Sequence, residues 1–310
     1  MKQREQNRIG FTQRAGYTWR RVLKYKHGYF FALPFTLIFV VFTLIPVLMA
    51  VFYSFTSFNA LQPAKWIWLE NYRQLILKDS LFLTSFKNTL LFAAITGPVG
   101  YLLSLLLAWF LNDFSPGVRS VLTLLFYAPT LANIYYVWQL IFSSDAYGIL
   151  NSYLMKVGIL TSPVAWLTDE KYIVGTLIFI LLWSSLGTSF LVLIAGFQNV
   201  DRTLFEAAAV DGIRNRWQEL WYITLPYIRP QLLFAAVTSI TGAFNIGPAI
   251  DILCGTPSTN YVAWTMMHHL NDSANVRLEM GYACTIATVL FVLMVAANRF
   301  FQNLIGKVGQ

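Results

Sequence analysis

The chain has 310 residues, of which 57% are hydrophobic and 12% are charged, whereas roughly 25% of the residues in an average soluble domain are charged. A water-soluble core cannot hold this much apolar surface, so the composition excludes an ordinary soluble domain and indicates a protein embedded in a bilayer. The formal net charge is +8, which we interpret as a sign of membrane orientation and not of nucleic-acid binding.

Apolar runs near or above the ~20 residues that a helix needs to cross a bilayer recur along the chain. They cover about 29–52, 88–111, 120–142, 172–196, 228–250 and 281–302. The predicted fold class is therefore an all-α membrane protein with six transmembrane helices over 29–302. A basic tail, 1–28, precedes these helices, and a short tail, 303–310, follows them.

The distribution of Lys and Arg predicts the orientation of the spans, because cytoplasmic loops carry an excess of these residues. If the 1–28 tail is cytoplasmic, 15 of the 22 Lys and Arg residues lie on that side and seven lie on the other. The 15 comprise eight in the tail, four in the 197–229 loop, and Arg119, Arg299 and Lys307. The split predicts that both termini and the 197–229 loop are cytoplasmic.

The 197–229 loop contains a polar segment of small residues, Glu206-Ala207-Ala208-Ala209-Val210-Asp211-Gly212, between two long apolar runs. The pattern predicts a short helix at the membrane surface. Thr203 with Glu206 three residues later fits a capping box, and Asp201 is an alternative cap. Gly212 is predicted to end the helix, since glycine adopts a left-handed turn at low cost.

This segment, followed by Leu225-Pro226-Tyr227-Ile228-Arg229-Pro230, resembles the EAA loop of binding-protein-dependent ABC importer permeases, in particular those of the sugar-uptake branch. The resemblance extends from about Phe30 to Phe301. Further matches follow in the family's order: Leu69-Glu70-Asn71-Tyr72, Asn88-Thr89, Gly148-Ile149-Leu150-Asn151, Trp183 and Leu186-Gly187. Trp and Tyr near the first of these also suit the interfacial belt of a membrane protein.

The resemblance implies the type I ABC importer permease fold, in which the loop forms a coupling helix that docks on a separate ATPase subunit. The coupling residues that it implies are Glu206, Ala207, Ala208, Asp211 and Gly212. For Glu206 the alternative is that it only caps its own helix, and the two roles can coexist.

The resemblance also implies partners and a location. The expected partners are a second, related permease subunit, two ATP-binding-cassette ATPase subunits, an extracytoplasmic substrate-binding protein and membrane lipid. The expected location is the bacterial cytoplasmic (inner) membrane, which the chain would cross several times. The expected substrate is a carbohydrate, either an oligosaccharide or a sugar derivative, and glycerol-phosphate esters are an alternative.

The sequence indicates a transport permease and not an enzyme. It has no Gly-x-x-x-x-Gly-Lys-Ser/Thr motif to cradle ATP phosphates, so ATP and Mg are expected on the partner ATPase subunits and no cofactor is expected on this chain. The alternative function is a secondary solute carrier that works without an ATPase. Such a carrier would need intramembrane carboxylates or inverted repeats, and neither is evident.

Polar side chains within the apolar runs are candidates for a substrate path, because hydroxyl, amide and aromatic groups suit sugars. Thr238, Thr241, Gly242 and Asn245 share one face of a helix. The alternative is that such residues only mediate helix packing. The candidates are Asn133 and Tyr136 in the third run, Ser184 and Thr188 in the fourth, and Thr241 and Asn245 in the fifth.

The chain departs from the family pattern at two positions. One extra residue precedes the Ile-x-Leu-Pro element, and we place it in Ile213-Arg214-Asn215-Arg216. Leu253-Cys254-Gly255-Thr256-Pro257 stands where the family often has Thr-x-Gly-Gly-Pro. His268-His269 lies in the last outer loop without a metal-binding cluster of suitable spacing, so we predict an exposed loop and no metal site.

Overall fold

The computed structural model describes residues 25–59, 61–131 and 134–306. Most of the predicted tails and Asn133 therefore lie outside the described residues. The α-helices are α1 (Lys26–Phe39), α2 (Ile45–Tyr53), α3 (Glu70–Leu77), α4 (Ser80–Leu111), α5 (Pro116–Leu131), α6 (Tyr135–Ile141), α7 (Ile149–Lys156), α8 (Glu170–Ser184), α9 (Thr188–Gln198), α10 (Arg202–Val210), α11 (Arg216–Glu219), α12 (Leu225–Tyr227), α13 (Arg229–Phe244), α14 (Gly247–Cys254), α15 (Met266–Asn271) and α16 (Met280–Ile305). Turns of π-helix lie at Val40–Leu44, Leu220–Thr224 and Asp272–Val276, and a 3₁₀ turn lies at Thr259–Tyr261.

Several of these helices can cross a membrane. Within the described residues, four stretches are long and apolar enough: Gly28–Tyr53, Ser80–Leu111, Glu170–Gln198 and Met280–Ile305. The pair α13 and α14, bent by 45°, makes a fifth span if it is counted as one. The third predicted run, 120–142, is occupied by α5 and α6. The prediction of an all-α, multi-pass membrane protein is confirmed.

The second span begins earlier than its apolar run. The run was predicted to start at 88, because Lys87 lowers the hydropathy before it. The helix starts at Ser80, where the Asp79 carboxylate accepts a hydrogen bond of 2.8 Å from the Phe82 N–H. A capping carboxylate satisfies one of the free N–H groups of the first turn, and it therefore fixes the start of α4 ahead of the apolar run.

The core of the bundle is formed by α4, α9, α13 and α16. Small residues let these helices approach closely. A Cβ added at Gly97 of α4 would lie 3.4 Å from the Ala243 Cβ of α13, and one added at Gly100 would lie 2.6 Å from the Ser185 Oγ. The centre of the molecule is therefore packed around α4, and its partners are held there by contacts that larger residues would not permit.

The first span lies at the edge of the bundle. None of the residues in its most apolar window is buried, and Phe31 is 82% exposed. Only the α2 end packs on the rest of the molecule, against α16. This helix therefore presents apolar side chains to a lipid or protein neighbour along most of its length.

The matched Asn71 and Tyr72 have a structural role near α2. The buried Asn71 amide donates to the carbonyl oxygens of Ser54 and Thr56, both at 2.9 Å. Tyr72 OH lies 2.8 Å from the Ser54 Oγ. The Gly281 N–H donates to the Phe58 carbonyl at 2.7 Å. These bonds hold the segment after the first span against the start of the last span.

Candidate functional site

The main candidate site is a cavity of about 320 Å³ where two broken spans meet. The fourth span breaks between α8 and α9, where Gly187 leaves the helical region (φ −106°, ψ −133°). The fifth span breaks at Asn245 and Ile246, just before Pro248, which has no N–H to continue the helical hydrogen bonds. Non-helical backbone at membrane depth is tolerated where it is buried in protein or lines a cavity.

The lining of this cavity is rich in hydroxyl groups. None of the described residues that line it is charged. They are Thr96, Tyr135, Leu181, Ser184, Ser185, Gly187, Thr188, Ser189, Thr238, Ser239, Gly242, Ala243, Asn245 and Ile246. A lining of this kind can exchange hydrogen bonds with a neutral, hydroxylated molecule, and it offers no charge to pair with an ion.

Part of this polar lining joins helices to one another. The Ser189 Oγ donates to the Ala235 carbonyl at 3.2 Å and lies 2.8 Å from the Thr238 Oγ1. The Ser239 Oγ donates to the Ser189 Oγ at 2.9 Å. These hydroxyls already have partners in α13 or α9, so they fit the packing role that the sequence left open.

Other polar groups in the cavity are free to meet a ligand. Thr188 and Asn245 are exposed, and neither side chain makes a hydrogen bond to another residue in the described part of the chain. The Ser184 Oγ is buried without a hydrogen bond of normal geometry and faces the Tyr135 phenol. Thr188 and Asn245 are therefore the groups in the cavity best placed to bind a substrate, and Ser184 and Tyr135 belong to the wall.

The structure thus brings together only some of the predicted path residues. Ser184, Thr188 and Asn245 share the cavity. Thr241 lies outside it and accepts a 3.2 Å hydrogen bond from the Asn298 amide of α16. Tyr136 is also outside it and 57% exposed; its neighbour Tyr135 lines the cavity instead. Ser185 and Ser189 were missed, although the dense hydroxyl run at 184–189 was a sequence signal for them.

The second candidate site is α10, the helix predicted in the 197–229 loop. Asp201 caps it by accepting a 3.0 Å hydrogen bond from the Thr203 N–H, and this bond holds the pKa of Asp201 below its usual range. Of the two caps that the sequence allowed, Asp201 is therefore the one used. Glu206 is exposed and makes no ion pair with another described residue, so its carboxylate is available to a partner.

The end of α10 is set by Gly212, whose φ is +93°. The Ile213 N–H donates to the Ala208 carbonyl at 3.0 Å, and the Gly212 N–H donates to the Ala209 carbonyl at 3.3 Å. This pair of bonds is the Schellman motif. The predicted left-handed turn is therefore present.

The faces of α10 differ in what they contact. Ala208 is buried and faces its own subunit, whereas Ala207 and Asp211 are exposed beside Glu206. Val210 is 88% exposed and adds an apolar side chain to this surface. It was not among the coupling residues that the resemblance implied. The exposed face carries small side chains such as Ala207, is apolar at Val210 and is acidic at Glu206 and Asp211.

The prediction of an exposed loop at His268-His269 is wrong. Their side chains are 3% and 0% exposed, because each imidazole meets a carboxylate from a distant element. The His268 Nε2 lies 3.1 Å from Asp251 Oδ1, and the His269 Nε2 lies 2.8 Å from Asp79 Oδ2. Among the described residues, no group of three His, Cys, Asp or Glu side chains is placed to hold a metal ion.

His268 is held in its neutral form. The Thr265 N–H donates to its Nδ1 at 3.0 Å, so the proton of a neutral ring sits on Nε2, facing Asp251. Burial lowers the pKa of His268, and the charge of Asp251 opposes that shift only in part.

For Asp79, in contrast to His268, the effect of burial on the pKa is outweighed by the partners of the side chain. Burial raises its pKa, but hydrogen bonds from Tyr282 OH and the Phe82 N–H, together with His269, outweigh burial and leave the pKa lowered.

Comparisons with known proteins agree with this architecture. The family described as "Binding-protein-dependent transport system inner membrane component" matches residues 100–308. The arabinooligosaccharides transport system permease protein AraP of Bacillus subtilis (strain 168) is 30% identical over 296 residues, which cover 93% of this chain and 92% of that protein. The probable ABC transporter permease protein YesP of the same organism is 32% identical over 86% of each chain.

A solved structure has the same fold. A chain of a bacterial ABC transporter involved in the import of the acidic polysaccharide alginate superposes with a TM-score of 0.76. It is 22% identical, and the alignment covers 95% of this chain and all of that one. The matched family, the permease relatives and the shared fold agree, and the chain belongs to the inner-membrane components of binding-protein-dependent transport systems.

Proposed function

We propose that the chain is the permease subunit of an ATP-driven importer that carries an oligosaccharide or sugar derivative across the bacterial cytoplasmic membrane. The observation that carries this proposal is α10, a capped surface helix with an unpaired acidic side chain, Glu206, that is connected through α11 and α12 to the cavity-lining helix α13. A carrier that worked alone would have no need of such a surface.

The proposed orientation follows from charge. The 197–229 loop carries four Arg residues, and cytoplasmic loops are enriched in Lys and Arg. We infer that α10 faces the cytoplasm and docks on one of two ATPase subunits, which bind ATP and Mg. A second, related permease subunit would complete the pore, and an extracytoplasmic binding protein would deliver the substrate. Closure of the ATPases on ATP would draw the coupling helices together and open the path outward.

The substrate class is inferred from the cavity. Hydroxyl groups and the Asn245 amide match the alternating donors and acceptors of a sugar, and the Tyr135 ring can pack on an apolar sugar face. No charged side chain lies among the described lining residues, which favours a neutral substrate over an acidic one. The similar permease AraP is named for arabinooligosaccharides, whereas the solved transporter of the same fold is involved in the import of an acidic polysaccharide, so the preference for a neutral substrate rests on the lining alone.

A transport assay with two arms tests this proposal. The purified complex with its ATPase, permease partner and binding protein is placed in proteoliposomes, and uptake of neutral and uronic-acid oligosaccharides is measured with and without ATP. We expect ATP-dependent uptake of neutral sugars only. Uptake that is independent of ATP, or restricted to acidic sugars, would contradict the coupling or the substrate assignment respectively.

A further inference from the structure

The second half of the 197–229 loop is attached to the end of α4 by a cluster of charged and aromatic side chains. The Arg216 guanidinium forms an ion pair with Asp113, just beyond α4. The same guanidinium lies over the Trp109 ring, 5.5 Å from its centroid. The Trp109 and Trp217 ring centroids are 4.6 Å apart. We call Trp109, Asp113, Arg216 and Trp217 the brace.

Arg216 of the brace ends the stretch 213–216, where the sequence predicts one residue more than the family spacing. Asn215 caps α11 by accepting a 2.9 Å hydrogen bond from the Gln218 N–H, and the Gln218 Oε1 accepts a 3.0 Å bond from the Arg214 N–H. These two bonds make the stretch from Arg214 to Gln218 an ordered turn. They also fix the start of α11, which begins with Arg216 and Trp217.

The brace joins the end of α4 to α11, and both elements lead along the chain to the cavity. From Arg216 the chain continues through α11, a π turn and α12, and only Ile228 separates α12 from α13. The far end of α13 carries Thr238, Gly242 and Asn245 to the cavity wall, and α4 contributes Thr96 to the same wall. The brace therefore ties the end of one cavity helix, α4, to α11, from which the chain leads into a second cavity helix, α13.

We propose that the brace makes the second half of the 197–229 loop move together with α4, and with the α13 helix packed on α4, when an ATPase displaces α10. This inference rests on the proposed function and adds Trp109, Asp113, Arg216 and Trp217 as positioning residues for coupling. Without the brace, α10 could shift by bending the turn at 213–215 while the cavity helices stayed in place. With it, the shift is passed to both walls of the path.

The chemistry of the brace suits a positioning role better than a stabilising one. The Arg216 and Asp113 side chains are 56% and 38% exposed, and exposed ion pairs contribute little to folding stability. Arginine offers a planar group that pairs with a carboxylate and stacks on an aromatic ring at the same time, which lysine cannot do. Variants at 216 should therefore fold while losing the fixed geometry.

Charge exchange in the purified transport complex tests the brace. The variants are Asp113→Arg, Arg216→Asp, the double exchange, and Arg216→Lys. The matched control is Arg214→Ala, because Arg214 is an exposed cation in the same turn without an ion pair among the described residues. ATP hydrolysis is measured with and without loaded binding protein, beside assembly and thermal stability.

We expect each single reversal to lower the stimulation by loaded binding protein at least about fivefold, the lower end of measured coupling effects. Basal hydrolysis, assembly and melting temperature should stay near the wild-type values. The double exchange should restore stimulation. Arg216→Lys keeps the charge but loses the planar group, so it should retain only part of the wild-type stimulation. Arg214→Ala should leave stimulation unchanged.

Other outcomes would overturn the proposal. Full stimulation in both single reversals, or no recovery in the double exchange, would show that coupling does not run through the brace. Loss of assembly in Arg216→Lys would make the cluster structural. A wild-type complex that hydrolyses ATP without responding to binding protein would instead overturn the proposed function, and the brace with it.

Discussion

Replacing Gly212 by valine should uncouple the permease by distorting the end of α10. The φ of +93° at Gly212 is a conformation that β-branched residues adopt only under strain. A Cβ added there would meet no atom within 4 Å, so the penalty comes from the backbone alone, and it is about 1–3 kcal/mol. If that strain is relieved by opening the Schellman turn, the equilibrium ratio of closed to opened turn falls by about 5- to 150-fold.

Gly158 provides a matched control for this change. Its φ is +78°, and an added Cβ would also meet no atom within 4 Å, but it follows α7, away from the 197–229 loop. Gly158→Val should therefore cost similar stability and leave coupling intact. The assay is ATP hydrolysis stimulated by loaded binding protein in purified complexes. Full stimulation in Gly212→Val, or equal loss in both variants, would refute the reasoning.

Three further predictions concern the cavity and the predicted outer end of the bundle. Asn245→Leu should lower uptake at least about tenfold with assembly intact, because a buried substrate hydroxyl would lose a partner worth about 1–3 kcal/mol. The melting temperature should fall as the pH drops below about 6.5, because unfolded histidine binds a proton there while the lowered pKa of His268 keeps the folded form neutral. Gly281→Ala should destabilise the fold by about 1–3 kcal/mol, since its Cβ would lie 2.1 Å from the Thr56 carbonyl oxygen.

Each of these predictions has its own control. Thr241→Val should leave substrate preference unchanged, and a loss of assembly in Asn245→Leu would favour a packing role. His268→Gln should flatten the dependence of the melting temperature on pH between pH 7.5 and 5.5. If the melting temperature of this variant still falls with pH, His268 is excluded as the cause. Gly117→Ala adds a Cβ in open space, and a melting temperature as low as that of Gly281→Ala would remove the steric explanation.

The helix breaks show where hydropathy is insufficient as a predictor. The run at 228–250 is apolar on average, so it predicts one helix, although Pro248 was a local sign that the hydrogen-bond ladder stops. The break at Gly187 lies in a hydroxyl-rich stretch, 184–189, inside a run that is also apolar on average. In both cases the break depends on packing around a cavity, which a sliding average cannot represent. The end of α10 at Gly212 was predictable because the turn chemistry is local.

Contacts between distant elements account for the other errors. His268 and His269 lie in a short polar stretch that resembles a surface loop, and their burial depends on Asp251 and Asp79, the latter 190 residues away from His269. No periodicity in the chain reports such a pairing. The choice between Tyr135 and Tyr136 likewise needs the rotation of α6 against α8, which is set by tertiary packing.

Glu206→Lys tests the central claim most directly, because it reverses the unpaired charge of α10 that we propose an ATPase recognises. Glu70→Lys is its control, since Glu70 is also exposed but lies on the side predicted to be extracytoplasmic. The measurement is ATP hydrolysis by the purified complex in response to loaded binding protein. The account predicts that Glu206→Lys lowers the response at least about fivefold and that Glu70→Lys preserves it. A full response in Glu206→Lys would show that this helix does not couple the permease to ATP.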